Sequence, residues 1–317
     1  MNKLNIPKEQ LISNSDMTKF VEDVLSDFYK DKDLVEFAKS YNFSDEELRK
    51  GAIKISQVLD DKKLCQNCRG LSKCVKKDRV GTTLKLVYNS YTGEIDNRFV
   101  FCDYKKKWEN YLRNVVHSSI NPENARESYN RILTFVKNSQ NTKSQLKNLL
   151  AESIPLIKNK EYKNNFVKGF YVVSPNSNGR TFLQYILISA MMNNNKVAYV
   201  SSPSLFIPLT DKVKSEARDY AIETYSSIKD VDVLLIDDFG LEPKSFQIRD
   251  FYLVPLLNER RKKGLITFIS SRLTIDEVTQ AYCLRDKITQ NIMADTLKYL
   301  MSEREIIEPE LFEWYFI

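Results

Sequence analysis

Apolar positions recur at helical spacing through residues 1–60. One stripe holds Phe20, Val21, Val24, Leu25 and Phe28, and a second holds Leu34, Val35, Phe37 and Ala38. Ser44-Asp45-Glu46-Glu47 has the form of a capping box and opens a third predicted helix through Ala52, Ile53, Ile55 and Val58. The period then drops to two around Thr83 to Tyr88 and again around Ile95 to Phe101. Tyr91-Thr92-Gly93 lies between these stretches, which predicts a hairpin. Residues 105 to about 160 return to helical spacing through Trp108, Tyr111, Leu112 and Val115, then Ile132, Leu133, Phe135 and Val136. Asn121-Pro122 breaks that run, and Asn138 to Ser144 reads as a polar linker. From Gly169 onward, apolar runs of strand length alternate with helical stretches: Gly169 to Ser174, Lys196 to Ser201, Val231 to Asp237 and Leu265 to Ser271 are the strands. Thr181 to Asn193, Leu205 to Ile228 and Phe246 to Lys263 are the helices between them. Buried parallel strands alternating with helices predict a three-layer α/β domain.

A length of 317 residues suits two or three domains at roughly 100–200 residues each. The pattern places them at 1–104 (helices plus hairpin), 105–149 (helical linker) and 150–317 (α/β). Hydrophobic residues make up 42% and charged residues 28%, which excludes wholesale disorder. A net charge of +6 tolerates an anionic partner without demanding one. The N-terminus lacks a signal-peptide core, and runs such as Tyr185 to Met192 fall short of the roughly 20 apolar residues that span a bilayer. The expectation is a cytoplasmic protein. Clustered thiols in that compartment are metal ligands before they are disulfides.

Four of the five cysteines lie between positions 65 and 102: Cys65 and Cys68 as a C-x2-C pair, then Cys74 and Cys102. Four thiolates could close a structural zinc site, with Lys73, Lys76 and Lys77 offsetting its charge. Cys283 stands alone and is assigned to packing, and the single His117 to packing or surface. The strand at Gly169 runs into Ser174-Pro175-Asn176-Ser177-Asn178-Gly179-Arg180-Thr181 and then a helix, the register of a phosphate-binding loop. Ser177, Asn178, Gly179, Arg180 and Thr181 are the candidate nucleotide contacts. Ser174 stands where the first Gly belongs, and Arg180 stands where the Lys belongs. Downstream, Val231-Asp232-Val233-Leu234-Leu235-Ile236-Asp237-Asp238 ends an apolar strand in two carboxylates, with Asp237 placed for magnesium and Asp238 for the attacking water.

These residues resemble the bacterial replicative helicase loaders of the DnaI/DnaC type. The resemblance implies an α/β AAA+ P-loop domain preceded by a small helical and zinc-knuckle N-terminal domain that contacts the helicase. Leu234-Leu235-Ile236-Asp237-Asp238-Phe239-Gly240 is similar to the family's L-L-I-D-D-I-G. Arg249-Asp250 and Leu256-Leu257-Asn258-Glu259-Arg260 are similar to the helix holding its arginine finger, which makes Arg260 the candidate. Thr267-Phe268-Ile269-Ser270-Ser271-Arg272 is similar to the sensor strand T-F-F-T-S-N, with Arg272 in place of Asn, and Thr296 stands where a second sensor Arg is expected. The family often carries a His near Thr82, so Cys74 is promoted to fourth zinc ligand. The implied ligands are structural zinc and ATP or ADP with magnesium. The implied partners are the replicative helicase and, weakly, single-stranded DNA, with room for a homo-oligomer on the helicase.

Four altered positions around one phosphate site (Ser174, Arg180, Arg272 and Thr296) predict weakened or lost hydrolysis in a DNA replication initiation protein. For DNA, Lys105-Lys106-Lys107 beside Tyr104 and Trp108, and Arg260-Arg261-Lys262-Lys263, combine charge with aromatic neighbours. The rival readings are an IstB-like transposition-accessory ATPase, which would not need the cysteines, and a nucleotide-independent scaffold for the helicase.

Overall fold

A computed structural model describes residues 14–138, 144–159, 166–210, 215–283 and 286–308. The N-terminal segment and most of the Asn138 to Ser144 linker lie outside the described residues. The chain divides into two compact units, one ending at Glu109 and one beginning at Asn110.

The first unit packs four helices against a two-stranded ribbon. The helices are α1 (Asn14–Lys30), α2 (Lys32–Tyr41), α3 (Asp45–Lys50) and α4 (Ala52–Cys65). The Ser44 capping box forms as the sequence predicts, with Glu47 reaching back to the Ser44 amide at 2.7 Å. The ribbon is β1 (Thr82–Asn89) antiparallel to β2 (Glu94–Phe101). Phe28, Leu34, Leu48, Ile55 and Val58 form the core with Leu86 and Ile95 from the ribbon. One buried carboxylate ties the two layers. Asp61 on α4 accepts from Lys76 Nζ at 2.6 Å, Thr83 Oγ1 at 2.9 Å and the Leu84 amide at 2.9 Å.

The unit boundary falls within α5 (Asp103–Leu112). The stretch expected to be a helical linker contains a strand, β3 (Val115–Ser118), and then α6 (Pro122–Asn138). The β-branched pair Val115-Val116 favours extended backbone, and β3 gains an edge position on the sheet. His117 lies on this strand, near Ser119 Oγ at 3.4 Å, rather than on a helix.

The second unit continues with α7 (Gln145–Asn159), β4 (Gly169–Val173), α8 (Asn178–Met192), β5 (Val197–Ser201), α9 (Ser202–Leu209), α10 (Glu216–Ile228) and β6 (Val233–Phe239). A π-helical turn at Ile248–Leu253 leads into α11 (Val254–Lys263), followed by β7 (Ile266–Ser271), α12 (Ile275–Tyr282), α13 (Lys287–Leu300) and β8 (Met301–Glu305). Six parallel strands run in the order β3-β5-β6-β7-β4-β8. Side chains alternate between faces: Tyr171, Ala198, Leu234 and Ile269 meet a core built from α9 to α13, while Phe268 meets Phe182 of α8 on the other face. This is the α/β three-layer architecture expected from the pattern. Gly169 lets β4 enter between its neighbours, because a Cβ there would run into the Thr267 carbonyl. Among the described residues no helix is long and apolar enough to cross a membrane.

Replacing Asp61 with Ala leaves the Lys76 ammonium buried without its partner. The expected cost is about 3–5 kcal/mol, read by chemical denaturation as early loss of the N-terminal unit.

Candidate functional site

Strand β4 delivers Ser174 to the end of the sheet, and α8 begins four residues later. The loop between them closes on itself. Asn176 Oδ1 accepts from Ser174 Oγ at 2.9 Å and from the Asn178 amide at 3.0 Å. The Ser174 amide donates to the Ser271 carbonyl, and the Thr181 amide to the Ser177 carbonyl. An anion nest needs successive amides turned inward by alternating right- and left-handed backbone, yet no residue from Ser174 to Thr181 has positive φ. Asn178 and Thr181 are buried, and a Cβ on Gly179 would sit 3.0 Å from Ser270 Cβ. The last described segment covers the loop. The Glu308 carbonyl accepts from Asn176 Nδ2 and Asn178 Nδ2, both at 2.9 Å. Its carboxylate accepts from Ser144 Oγ and the Leu146 amide at the start of α7.

Arg180 projects from the first turn of α8 to the end of β6. Its Nε donates to Asp237 Oδ2 at 2.7 Å, and its Nη2 donates to Asp238 Oδ2 at 2.5 Å. Asp237 is buried and fully engaged. Tyr199 donates its hydroxyl to Asp237 Oδ2 at 2.5 Å, and Ser270 donates to Asp237 Oδ1. Burial and the neighbouring Asp237 raise the Asp238 pKa, with Arg180 opposing them. Burial also works against the Arg180 cation, but the two carboxylates outweigh it and hold its pKa above the ordinary value. Asp238 adopts φ 55°, so the backbone twists where the two carboxylates meet one guanidinium. The bidentate fork suits this geometry as a lysine ammonium would not.

The structure therefore brings Arg180, Asp237 and Asp238 together, as the sequence implied, but with the arginine in the space a magnesium ion would need. The residues do not fit Mg-ATP: Asp237 accepts from three side chains and the Asp238 amide, the loop offers no nest, and Arg180 fills the gap. Tyr199 and Ser270 were missed by sequence reasoning. Their signal was a polar group inside an otherwise apolar buried strand.

Arg260 is a correction. Its guanidinium is fully buried and donates to Thr267 Oγ1 at 2.9 Å and to the Ile266, Ile228, Lys229 and Val231 carbonyls at 2.7, 3.2, 3.3 and 2.9 Å. It fastens α11 to the start of β7 and the end of α10, and cannot reach a neighbouring subunit as a finger. Burial pulls its pKa down to about 9, which leaves it charged at neutral pH. Thr296 is also buried and bonds its own helix at the Ile292 carbonyl, while Arg272 acts on Asp238 only through charge. Trp108 is buried and has no free face for a base, and Lys105 pairs with Glu109. Lys263 pairs with Asp230 and Glu259, and Arg261 lies over the Tyr299 ring.

The cysteines do not assemble. Cys65, Cys68, Cys74 and Cys102 are all free thiols of intermediate exposure, and among the described residues no three His, Cys, Asp or Glu side chains are grouped to hold a metal ion. Cys65 instead lies beside the Lys76 ammonium, which is committed to Asp61. Cys283 is buried, with Arg249 Nη1 at 3.5 Å from its sulfur.

A curated relative, the replicative helicase loader DnaI of Bacillus subtilis (strain 168), is 28% identical over 113 residues. The resemblance to DnaI-type loaders is borne out. The match covers 35% of this chain and 35% of the loader, so it spans about a third of that protein's length. No protein-family model matches. Solved structures that are similar include a crystal structure of DnaI, 22% identical at a TM-score of 0.42, covering 53% of this chain and 87% of that one. A primosome component of Streptococcus pyogenes serotype M3, described as putative in its structure, is 20% identical at a TM-score of 0.43, covering 62% and 94%. AMPPCP-bound DnaA of Aquifex aeolicus is 15% identical at 0.36, covering 51% and 45%.

Arg180→Ala leaves Asp237 and Asp238 facing each other without a cation. With the Arg180 side chain 39% exposed, the expected loss is about 2 kcal/mol in urea unfolding, smaller than for a fully buried pair. Arg260→Ala, by contrast, is expected to cost more than about 4 kcal/mol or to prevent folding of the α/β unit, read by soluble yield and thermal melting.

Proposed function

We propose that this chain is a replicative helicase loader of bacterial DNA replication that works without an ATPase cycle. The observation that carries the second half is the ion pair from Arg180 to both Asp237 and Asp238. Metal-assisted phosphoryl transfer needs a carboxylate free to hold magnesium and a loop able to cradle phosphate. Here the carboxylates are neutralised from within and the loop is tied to Glu308. The likeness to DnaI supports the loader half of the reading, with the helicase as partner and the N-terminal unit as the part that contacts it. The same ion pair favours a nucleotide-independent scaffold over an IstB-like ATPase, whose chemistry would require the pocket open.

Two measurements test it. Capture of the replicative helicase from the same cell is expected at equal yield with and without ATP, and failure to capture it at all would overturn the loader assignment. Steady-state phosphate release, with helicase and single-stranded DNA present, is expected at background. Arg180→Lys alone should recover little, because residues acting as a unit are not additive. Robust turnover that Asp237→Ala abolishes would refute a silent site.

A further inference from the structure

Residues 66–80 join α4 to the β1–β2 ribbon without a buried apolar anchor. None of the apolar residues there is buried, and Val75 and Val80 are 64% and 44% exposed. The tight turns at Leu71–Lys73 and Lys77–Arg79 bury nothing, and their backbone bonds run to carbonyls only three residues back. A segment that buries so little does not offset its own chain entropy, and small folds answer that shortage with a cross-link. What reaches inward is Lys76, whose side chain is 6% exposed.

Its ammonium donates to Asp61 Oδ2 on α4 at 2.6 Å and to the Thr82 carbonyl at the start of β1 at 3.0 Å. Two of its three N–H groups are thus committed, and Cys65, the last residue of α4, stands beside it. The Cys102 amide donates to the Gly81 carbonyl at 2.8 Å, next to the Thr82 carbonyl that Lys76 holds. The ammonium therefore sits where the end of α4, residues 66–80 and the base of the ribbon meet. These are the parts that four thiolates would have to draw together around a zinc ion. The donor set does not fit that ion. Zinc takes thiolates and imidazoles as ligands, whereas an ammonium offers it no lone pair. A metal on Cys65 would add a second cation beside one already fixed, and moving Lys76 aside would leave the buried Asp61 without its partner.

We propose that the Lys76 ammonium is the cross-link of this region in place of a metal ion, and that the N-terminal unit folds with Cys65, Cys68, Cys74 and Cys102 as free thiols. One charged group gathers three chain segments through directional bonds, and the bond from Lys76 back to Asp61 closes a loop 15 residues long. Asp61 is held in turn by Thr83 Oγ1 and the Leu84 amide, so the cross-link is tied into β1 from both of its ends. The lysine that the sequence offered as a counter-charge for thiolates becomes the centre of the arrangement. This holds whether or not the chain captures a helicase.

The test uses the full chain, purified without chelator, and reads zinc content by elemental analysis and amide protection of α4 and β1 by hydrogen exchange. The wild type should carry far less than one zinc per chain, and its protection should be the same with and without EDTA. Cys65→Ser/Cys68→Ser should keep α4 and β1 exchange within about twofold of the wild type, because no bond that holds the segment is lost. Lys76→Gln should speed exchange in β1 about tenfold or more, because it strands Asp61 and frees the Thr82 carbonyl. Stoichiometric zinc in the wild type would overturn the proposal whatever the variants do. So would loss of protection in the cysteine double variant, which decides the matter even where Lys76→Gln fails to fold. Wild-type protection in a folded Lys76→Gln chain would overturn it as well.

Discussion

Two carboxylates side by side at the end of a buried strand cannot both stay charged in a poorly solvated site without a cation. In this protein the requirement is met by Arg180, and much of the second unit is arranged around that fact. Tyr199 from β5 and Ser270 from β7 fix Asp237 from either side, so three strands and one helix converge on a single carboxylate. The cation is covalently part of the chain, always present and never exchanged.

The second consequence concerns the loop. A phosphate cradle keeps its amides unsatisfied until an anion arrives. Here Asn176 supplies internally the acceptor that a phosphate oxygen would have provided, and Ser174 adds a hydroxyl donor to the same atom. Ser174, in the glycine position, is thus satisfied by Asn176 within the loop, and Arg180, in the lysine position, by the two carboxylates. Substitution of the loop and filling of the pocket are one change seen from two sides.

The alternation of strands and helices from Gly169, and the carboxylate pair at the end of Val231 to Asp238, were legible because burial on both sheet faces leaves an apolar signature. The register of the degenerate loop, with Arg180 in the lysine position, was legible too. What could not be read was direction. Nothing in Leu256-Leu257-Asn258-Glu259-Arg260 distinguishes an arginine turned inward to five acceptors from one turned out toward a neighbour; that depends on which carbonyls α10 and β7 leave unsatisfied nearby. Strand β3 was hidden because four residues are too few for a period to emerge. The thiols were close in number and spacing, yet chain proximity does not dictate that side chains converge, and Lys76 took the place beside Cys65.

Glu308 lies beyond every strand of the sheet in sequence, yet its carbonyl holds the loop and its carboxylate caps α7. Synthesis runs from the N-terminus, so on the ribosome the loop and α7 emerge well before the residue that fastens them. Throughout that interval the nascent α/β unit has its pocket walls but not its clasp. The closed geometry waits for residue 308, and the strands and helices of the α/β unit do not carry it on their own.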